Sequence, residues 1–345
     1  MEVQQLRYFI TVIESGSLSR AAQSLHMSQP ALSQQMRALE QSLHTILLER
    51  SNRGIRPTSS GQALYKDAFR LVREFDQLST SVAAATDVRG VVSVGVTTGA
   101  ASHLAAPLVR WTLQNHPGIR LELFESMSGY LRELFENGRM DFAISYDDYV
   151  EDSETSAGGQ GMVEAGGSTT ARDVSAAVAS LLETGQDVTW IPLFEEEMFA
   201  FGPLCSAYAH NGIVRLEDIA DLPMVAPGLR SNLRSLVDRA FRRRALNPRI
   251  VADLESLPTM LDIARSGSAF AILPLSADKA GTVPHFHVAG DALRRRAVLN
   301  ISKSRATSPS ALKAILEGLL MVTQDAIEQG ESTGYMPLST AFELD

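Results

Sequence analysis

Apolar residues recur through the first forty-five positions with a helical period that short polar intervals interrupt. Leu6, Phe9, Ile10 and Ile13 fall at i, i+3, i+4 and i+7, the stripe of a packed helix that ends near Gly16. Ser17 is placed to cap a second, short helix in which Ala21, Ala22 and Leu25 turn inward, the two alanines letting another helix cross closely. His26 and Met27 form a turn. Ser28 then stands as an N-cap, with Pro30 in the first turn where its missing N–H is harmless. Leu32, Met36, Leu39 and Leu43 give the buried stripe of a third helix. Its outward face carries Gln29, Ala31, Ser33, Gln34 and Arg37.

Over residues 59–88 the spacing alternates between four and three through Leu64, Ala68, Leu71, Phe75, Leu78 and Val82, a heptad seam opened by Thr58 or Ser59 as cap. A long helix that is polar elsewhere must bury this stripe, either on a second copy of itself or on its own domain. Beyond 89–90 strand and helix patterns alternate: strands at 91–96, 119–124 and 141–145 with helices at 100–115 and 130–137, then strands at 223–226, 249–253 and 269–273 with helices at 233–244 and 259–265. That order predicts right-handed crossovers and parallel sheets in two α/β lobes. The chain is expected to cross between them near 198–202 and to return near 299–302. A last helix from Ser308, with Leu312, Ile315, Leu316, Leu319 and Val322 apolar, would pack on the first lobe.

The expected organisation is therefore a winged helix-turn-helix over 1–58, a dimerising linker helix over 59–88, a two-lobed α/β domain over 89–325 and a tail over 326–345. Lobe one takes about 89–198 and 302–325, and lobe two about 202–298. Periodicity is absent from about 330, where partial disorder is expected. Residues 151–187 interrupt the pattern. Their first half is rich in Gly, Ser and acid and reads as a loop, while Thr170 could cap a helix sharing Val174, Val178, Leu181 and Leu182 on one face.

Charge changes the picture only when divided along the chain. The 345 residues carry −9 overall, but residues 1–90 hold ten Lys and Arg against eight Asp and Glu, leaving −11 for the rest. Binding to a polyanion is thus confined to the N-terminal face, and one copy at +2 binds weakly, so pairing two copies is expected. With 45% apolar residues and no apolar run long enough to span a bilayer, a cytoplasmic protein without membrane contact is expected. The single Cys205 excludes an internal disulfide and lacks the His or Cys neighbours of a metal site, so it reads as a small buried hydrophobe. No cofactor is expected.

The outward face of the third helix suits a major groove, since Gln pairs bidentately with adenine, Ala meets a thymine methyl and Arg reaches guanine or phosphate. An ordinary solvated face would look similar. What distinguishes this one is the next segment, 47–58, which supplies Arg50, Arg53 and Arg56 around a turn at Asn52 and Gly54, a wing able to grip phosphates.

An Ala-Ala pair, the run Gln-Pro-Ala-Leu-Ser-Gln over 29–34 and the Leu-x-x-Arg wing together resemble the LysR-type transcriptional regulators. The resemblance covers residues 1 to about 150 and about 189 to 325. The segments at 89–96 and 255–261 look most similar to nitrogen assimilation control regulators. The family implies a linker-helix dimer, assembly into a tetramer, binding to an interrupted palindrome in promoter DNA, RNA polymerase as a further partner, and a periplasmic-binding-protein-like domain for a small polar or anionic effector. Some regulators of the nitrogen group act without an effector. The short connection usual in the family is replaced here by 151–187.

Ligands of open α/β sheets sit beyond the carboxyl ends of strands, where helix N-termini present free N–H groups. That rule selects Thr97, Thr98 and Ser102 after the first strand, Ser126 and Ser128 after the second, Ser145 and Tyr146 after the third, and Gly228, Arg230 and Ser231 in lobe two. Ser and Thr serve equally as helix caps at such places, and Arg230 is the one candidate clamp for a carboxylate. The rival from another class is a small-molecule-binding protein or enzyme that uses the same cleft. No Gly-rich phosphate loop or nucleophile elbow supports it, and His103, His116, His285 and His287 are scattered.

Overall fold

The computed structural model describes residues 1–51, 54–83, 88–147, 190–290, 293–302 and 308–338. The wing residues Asn52 and Arg53 and the whole of 151–187, with its expected helix from Thr170, lie outside this set, as does 339–345.

Helices α1 (Val3–Ser15), α2 (Leu18–Ser24) and α3 (Gln29–Ser42) pack around Leu6, Phe9, Ile10, Val12, Leu18, Ala21, Ala22, Leu32, Met36 and Leu39, all buried. Gly16 ends α1 in the left-handed conformation, and His26, at φ +53°, turns the chain from α2 into α3. The Ser28 hydroxyl accepts the Ala31 N–H at 3.3 Å, an N-cap. Ser17 occupies the corresponding position before α2 but makes no side-chain cap bond. Burial of Leu18 and the alanine pair fixes that helix instead.

Strands β1 (Leu48–Ser51) and β2 (Gly54–Pro57) form an antiparallel hairpin in which Ser51 faces Gly54. The hairpin leans on the end of α1, where the Ile55 N–H donates to the Gly16 carbonyl at 3.0 Å. Helix α4 (Ser59–Ala83) follows, capped by the Thr58 hydroxyl, which accepts the Gly61 N–H at 3.0 Å. The expected seam is divided. Ala68 is fully buried and Leu64 is packed in this domain's own core, beside Tyr65, Phe69 and Val72, because α4 lies along α1 and is tied to it by Arg7 and Asp76. Ala68 is therefore withdrawn from the dimer seam. Leu71 and Phe75 remain exposed, and the side chains of Leu78 and Val82 are outside the described set.

Two α/β lobes follow. The first has parallel β4 (Ile119–Ser126), β3 (Gly90–Thr97) and β5 (Phe142–Asp147), continued by antiparallel β12 (Arg294–Ile301) and β6 (Trp190–Phe201). Helices α5 (Thr98–Asn115), α6 (Ser128–Glu136) and the C-terminal Pro309–Glu328 cover it. The second lobe has parallel β8 (Met224–Pro227), β9 (Ile250–Leu254) and β10 (Phe270–Pro274), bordered by the far end of β6. Its short strands β7 (Ile213–Val214) and β11 (His285–Val288) lie on the other side of β6. Its helices are α7 (Leu216–Ile219), α8 (Asn232–Arg243) and α9 (Leu257–Ser266), so the C-terminal helix is α10.

The outward crossing falls at Met198, inside β6, whose first part pairs with β12 and whose last four residues pair with β10. The return differs from expectation. It precedes Arg294, not 299–302, because all of β12 pairs within the first sheet; lobe two thus ends near 293. Complementary charge sets the register there: Glu195, Glu196 and Glu197 of β6 lie opposite Arg296, Arg295 and Arg294 of β12.

The expected tail is also corrected through residue 338. Helix α10 runs to Glu328, one helical turn α11 (Gly330–Thr333) follows, and β13 (Tyr335–Met336) pairs with β6 at Glu195 and Glu196. Tyr335 is only 1% exposed and stacks on Phe194 with ring centroids 4.1 Å apart. A single buried aromatic anchors a segment too short and too polar to show a period.

Candidate nucleic-acid interface and sensing cleft

Helix α3 buries Leu32, Met36 and Leu39 and so must present the opposite face outward. Gln29, Pro30, Gln34 and Arg37 are exposed and Ala31 and Ser33 half-buried. Two of these side chains are oriented by neighbours. Ser19 of α2 donates to Gln29 Oε1 at 3.0 Å, and Arg50 of the wing donates to Ser33 Oγ at 3.2 Å. The wing guanidinium therefore stands beside the polar face of α3, so cationic and hydrogen-bonding groups form one continuous surface. The wing depends on glycine at its turn: Gly54 has φ +116°, and a Cβ there would lie 2.7 Å from the Gly16 carbonyl oxygen.

The cleft candidates gather where β3, β5, β6 and β12 meet lobe two, yet most are occupied within the chain. Thr97 is buried. Ser102 donates to the Gly99 carbonyl at 2.7 Å and contacts His103 Nδ1 at 2.8 Å. Ser145 accepts from Asn300 Nδ2 at 2.9 Å. Ser231 is buried, and Gly228 is packed under the Glu255 carboxylate. Thr98 and Ser126 are half-buried, Arg230 is exposed on the rim, and the Ser128 side chain is outside the described set. The lobes touch across the cleft. A Cβ on Gly129 would lie 3.3 Å from the Arg230 carbonyl oxygen, Asn232 Nδ2 donates to the Tyr146 carbonyl at 3.4 Å, and Lys279 Nζ donates to the Ser102 carbonyl.

At the centre Tyr146, selected by the strand-end rule, is joined by three residues that the sequence did not single out, Glu196, Ser276 and Arg295. Arg295 donates through Nε and Nη2 to Glu196 Oε2 at 2.8 and 2.6 Å, and Ser276 donates to Glu196 Oε1 at 3.0 Å. The Arg295 guanidinium carbon lies 3.4 Å from the Tyr146 ring centroid. Burial opposes the Arg295 charge, but Glu196 and Tyr146 outweigh it and raise the pKa. Burial, then the Glu196 charge, pushes the Tyr146 hydroxyl up, and burial does the same for Tyr335. Only one signal was legible: acidic and basic triplets inside otherwise apolar strands. Nearby, burial and then Lys279 lower His103 to about 4. In lobe two, burial raises the Cys205 thiol to about 12, as suits a buried hydrophobe.

Among the described residues there is no metal-ligating cluster, and no helix is long and apolar enough to cross a membrane. The model for bacterial regulatory helix-turn-helix proteins of the LysR family matches residues 3–62, and the LysR substrate-binding domain matches 85–157 and 168–322. The chain is 29% identical over 339 residues to the nitrogen assimilation regulatory protein of Klebsiella aerogenes, covering 96% of this chain and 98% of that one. It is 30% identical over 280 residues to the Escherichia coli protein of the same name, covering 80% and 79%. The solved LysR family transcriptional regulator CbnR shares the fold with a TM-score of 0.61 at 21% identity, covering 94% and 99%. Matches over both halves set the enzymatic reading aside: the chain belongs to the LysR family of DNA-binding transcriptional regulators.

Proposed function

We propose that two copies of this protein place their α3 helices in successive major grooves of an interrupted palindrome in promoter DNA. Gln29, Ala31, Ser33, Gln34 and Arg37 read base edges, Pro30 presets the start of the helix, and Arg50, Asn52 and Arg53 of the wing hold the backbone. The observation that carries this reading is the Arg50–Ser33 bond, which sets the wing beside the exposed face of α3. Exposed Leu71 and Phe75, continued in sequence by Leu78 and Val82, supply the seam between copies, and the family likeness supports a dimer of dimers. The two nitrogen assimilation relatives favour genes of nitrogen metabolism as targets, and promoter occupancy brings RNA polymerase within reach as a partner. Because Ser102, Ser145, Ser231 and Gly228 are engaged or covered within the chain, control by the protein's own level fits the cleft better than a small polar effector.

Selection of sites from random duplex DNA by the purified protein at near-physiological salt tests the reading. An interrupted palindrome is expected; recovery of no motif would overturn it.

A further inference from the structure

We propose that Ser19 sets the hydrogen-bonding polarity of Gln29, so that this end of α3 reads a keto base, guanine or thymine, and rejects the amino bases adenine and cytosine. The inference deepens the reading of α3 as the base-contacting helix and rests on it.

A glutamine amide can present its oxygen, its N–H2 or both to a base edge, so the base it selects depends on what its surroundings leave available. Ser19 stands at the second position of α2, and burial of Leu18, Ala21 and Ala22 holds that helix against the core. A helical Ser or Thr commonly gives its hydrogen to the carbonyl three or four residues back. Thr11, Ser24 and Ser42 of this domain do so, on Arg7, Ala21 and Leu39. For Ser19 those carbonyls belong to Ser15 and Gly16, and both already accept a hydrogen, Ser15 from the Arg20 guanidinium and Gly16 from the Ile55 N–H of the wing. The Ser19 hydroxyl instead donates to Gln29 Oε1 at 3.0 Å, across the turn between α2 and α3.

The amide is thereby oriented. Its oxygen is drawn toward α2, and Nε2, which has no partner among the described residues, keeps both hydrogens for the groove. Ser33, one turn further on the same face, is set alike: Arg50 donates to its Oγ at 3.2 Å, so its own hydrogen is left to give. Arg37, a further turn on, is exposed and has only hydrogens to offer. Gln29, Ser33 and Arg37 thus form a row of donors along α3.

In the major groove guanine offers acceptors at O6 and N7 and thymine one at O4, whereas adenine and cytosine carry amino hydrogens at the corresponding edge. An outward N–H2 pairs with the first two and meets an amino group on the others hydrogen to hydrogen. The bidentate contact with adenine, which an untethered glutamine makes, needs the oxygen that Ser19 holds.

The test selects sites from random duplex DNA with the full-length wild type, Gln29→Ala, Ser19→Ala and Ser19→Thr. Duplexes carrying each base at the position that Gln29→Ala relaxes are then titrated. For the wild type, guanine or thymine is expected there, bound about fivefold or more tightly than adenine or cytosine. Ser19→Ala lets the amide turn, so adenine should be accepted to within about twofold of the preferred base, with preferences at every other position unchanged. Ser19→Thr, which keeps the hydroxyl, should keep the discrimination. With Gln29→Ala already present, Ser19→Ala should add nothing. The proposal is overturned if the wild type prefers adenine or cytosine at that position, if Gln29→Ala relaxes no position, or if Ser19→Ala discriminates as well as the wild type. A loss spread evenly over all positions in Ser19→Ala also overturns it, since that marks a structural support and not a positioning residue. A wild type that selects no motif overturns the regulator reading and this inference with it, whereas a motif with an amino base at that position overturns this inference alone.

Discussion

Arg139, in the loop after α6 of the first lobe, forms an ion pair with Glu14 of α1, and its guanidinium carbon lies 4.7 Å from the Phe69 ring centroid on α4. One side chain thereby joins the sensing domain to both the DNA-binding core and the linker. It borders a cavity of about 360 Å3 whose walls include Phe69, Phe124, Tyr130 and Leu134. Both interactions are partly exposed, so each contributes only about 0.5–1 kcal/mol. Arg139→Ala is expected to leave the overall Tm within about 2 °C while speeding amide exchange over 64–72 of α4. Unchanged exchange would show that the two domains are not coupled through this residue.

Reader and gripper separate by their sequence dependence. Gln34→Ala should relax preference at one base position, costing about 1–3 kcal/mol there and little elsewhere. Arg50→Ala should weaken binding to all duplexes and lower the salt slope by about one, and Arg53→Ala, on the same wing, should do likewise. Titrations of specific and scrambled duplexes at several salt concentrations distinguish them. Identical, uniform losses would mean that the roles are misassigned.

The wing is held by backbone as much as by side chains. At Gly54 any Cβ meets the Gly16 carbonyl and an unfavourable positive φ together. Gly54→Ala should therefore cost on the order of 1–3 kcal/mol locally, pull the hairpin from α1 and reduce DNA affinity, with the lobes undisturbed. A normal melting profile with intact DNA binding would contradict this.

His103 predicts an acid limit. Its ordinary pKa near 6.5 falls to about 4 in the folded chain, so the unfolded chain takes up the proton first. Stability from this residue is complete above about 6.5 and is lost as the pH falls toward 4. His103→Phe, which keeps a ring against Tyr335 at the 5.6 Å contact, should lose less Tm between about pH 7 and pH 5 than the wild type. Parallel melting curves for the two proteins would refute the assignment.

Most of the helix-turn-helix was legible because its signals are local: Ser28 caps, Pro30 starts, and Leu32, Met36 and Leu39 repeat at helical spacing. The strand and helix order of both lobes followed from the change of period. What escaped depends on which segments meet. Ala68 fits a heptad equally well whether α1 or another copy covers it, and only the packing of α1 on α4 decides. The Glu195–Glu197 and Arg294–Arg296 runs lie about a hundred residues apart, and their pairing needs the register of β6 and β12. Tyr335 sits in a segment with no period, so its burial against Phe194 had no local sign. Thr97 and Ser145 stand at strand ends as the topology rule requires, but the rule does not say that the chain itself buries the one and hydrogen-bonds the other.

The path of β6 through both sheets has a consequence for the order in which the protein takes shape during synthesis. Lobe two is one continuous stretch from Met198 to near residue 293 and can gather its core as soon as that stretch leaves the ribosome. The first lobe cannot. Its β3, β4 and β5 emerge early, but the sheet lacks β12 and its cover α10 until nearly the whole chain has been made. Ribosomes that stall before Arg295 would leave Glu196 buried without its counter-charge or exposed to water, so nascent chains halted there should be open to proteases at β6 and become resistant only after Tyr335 has docked.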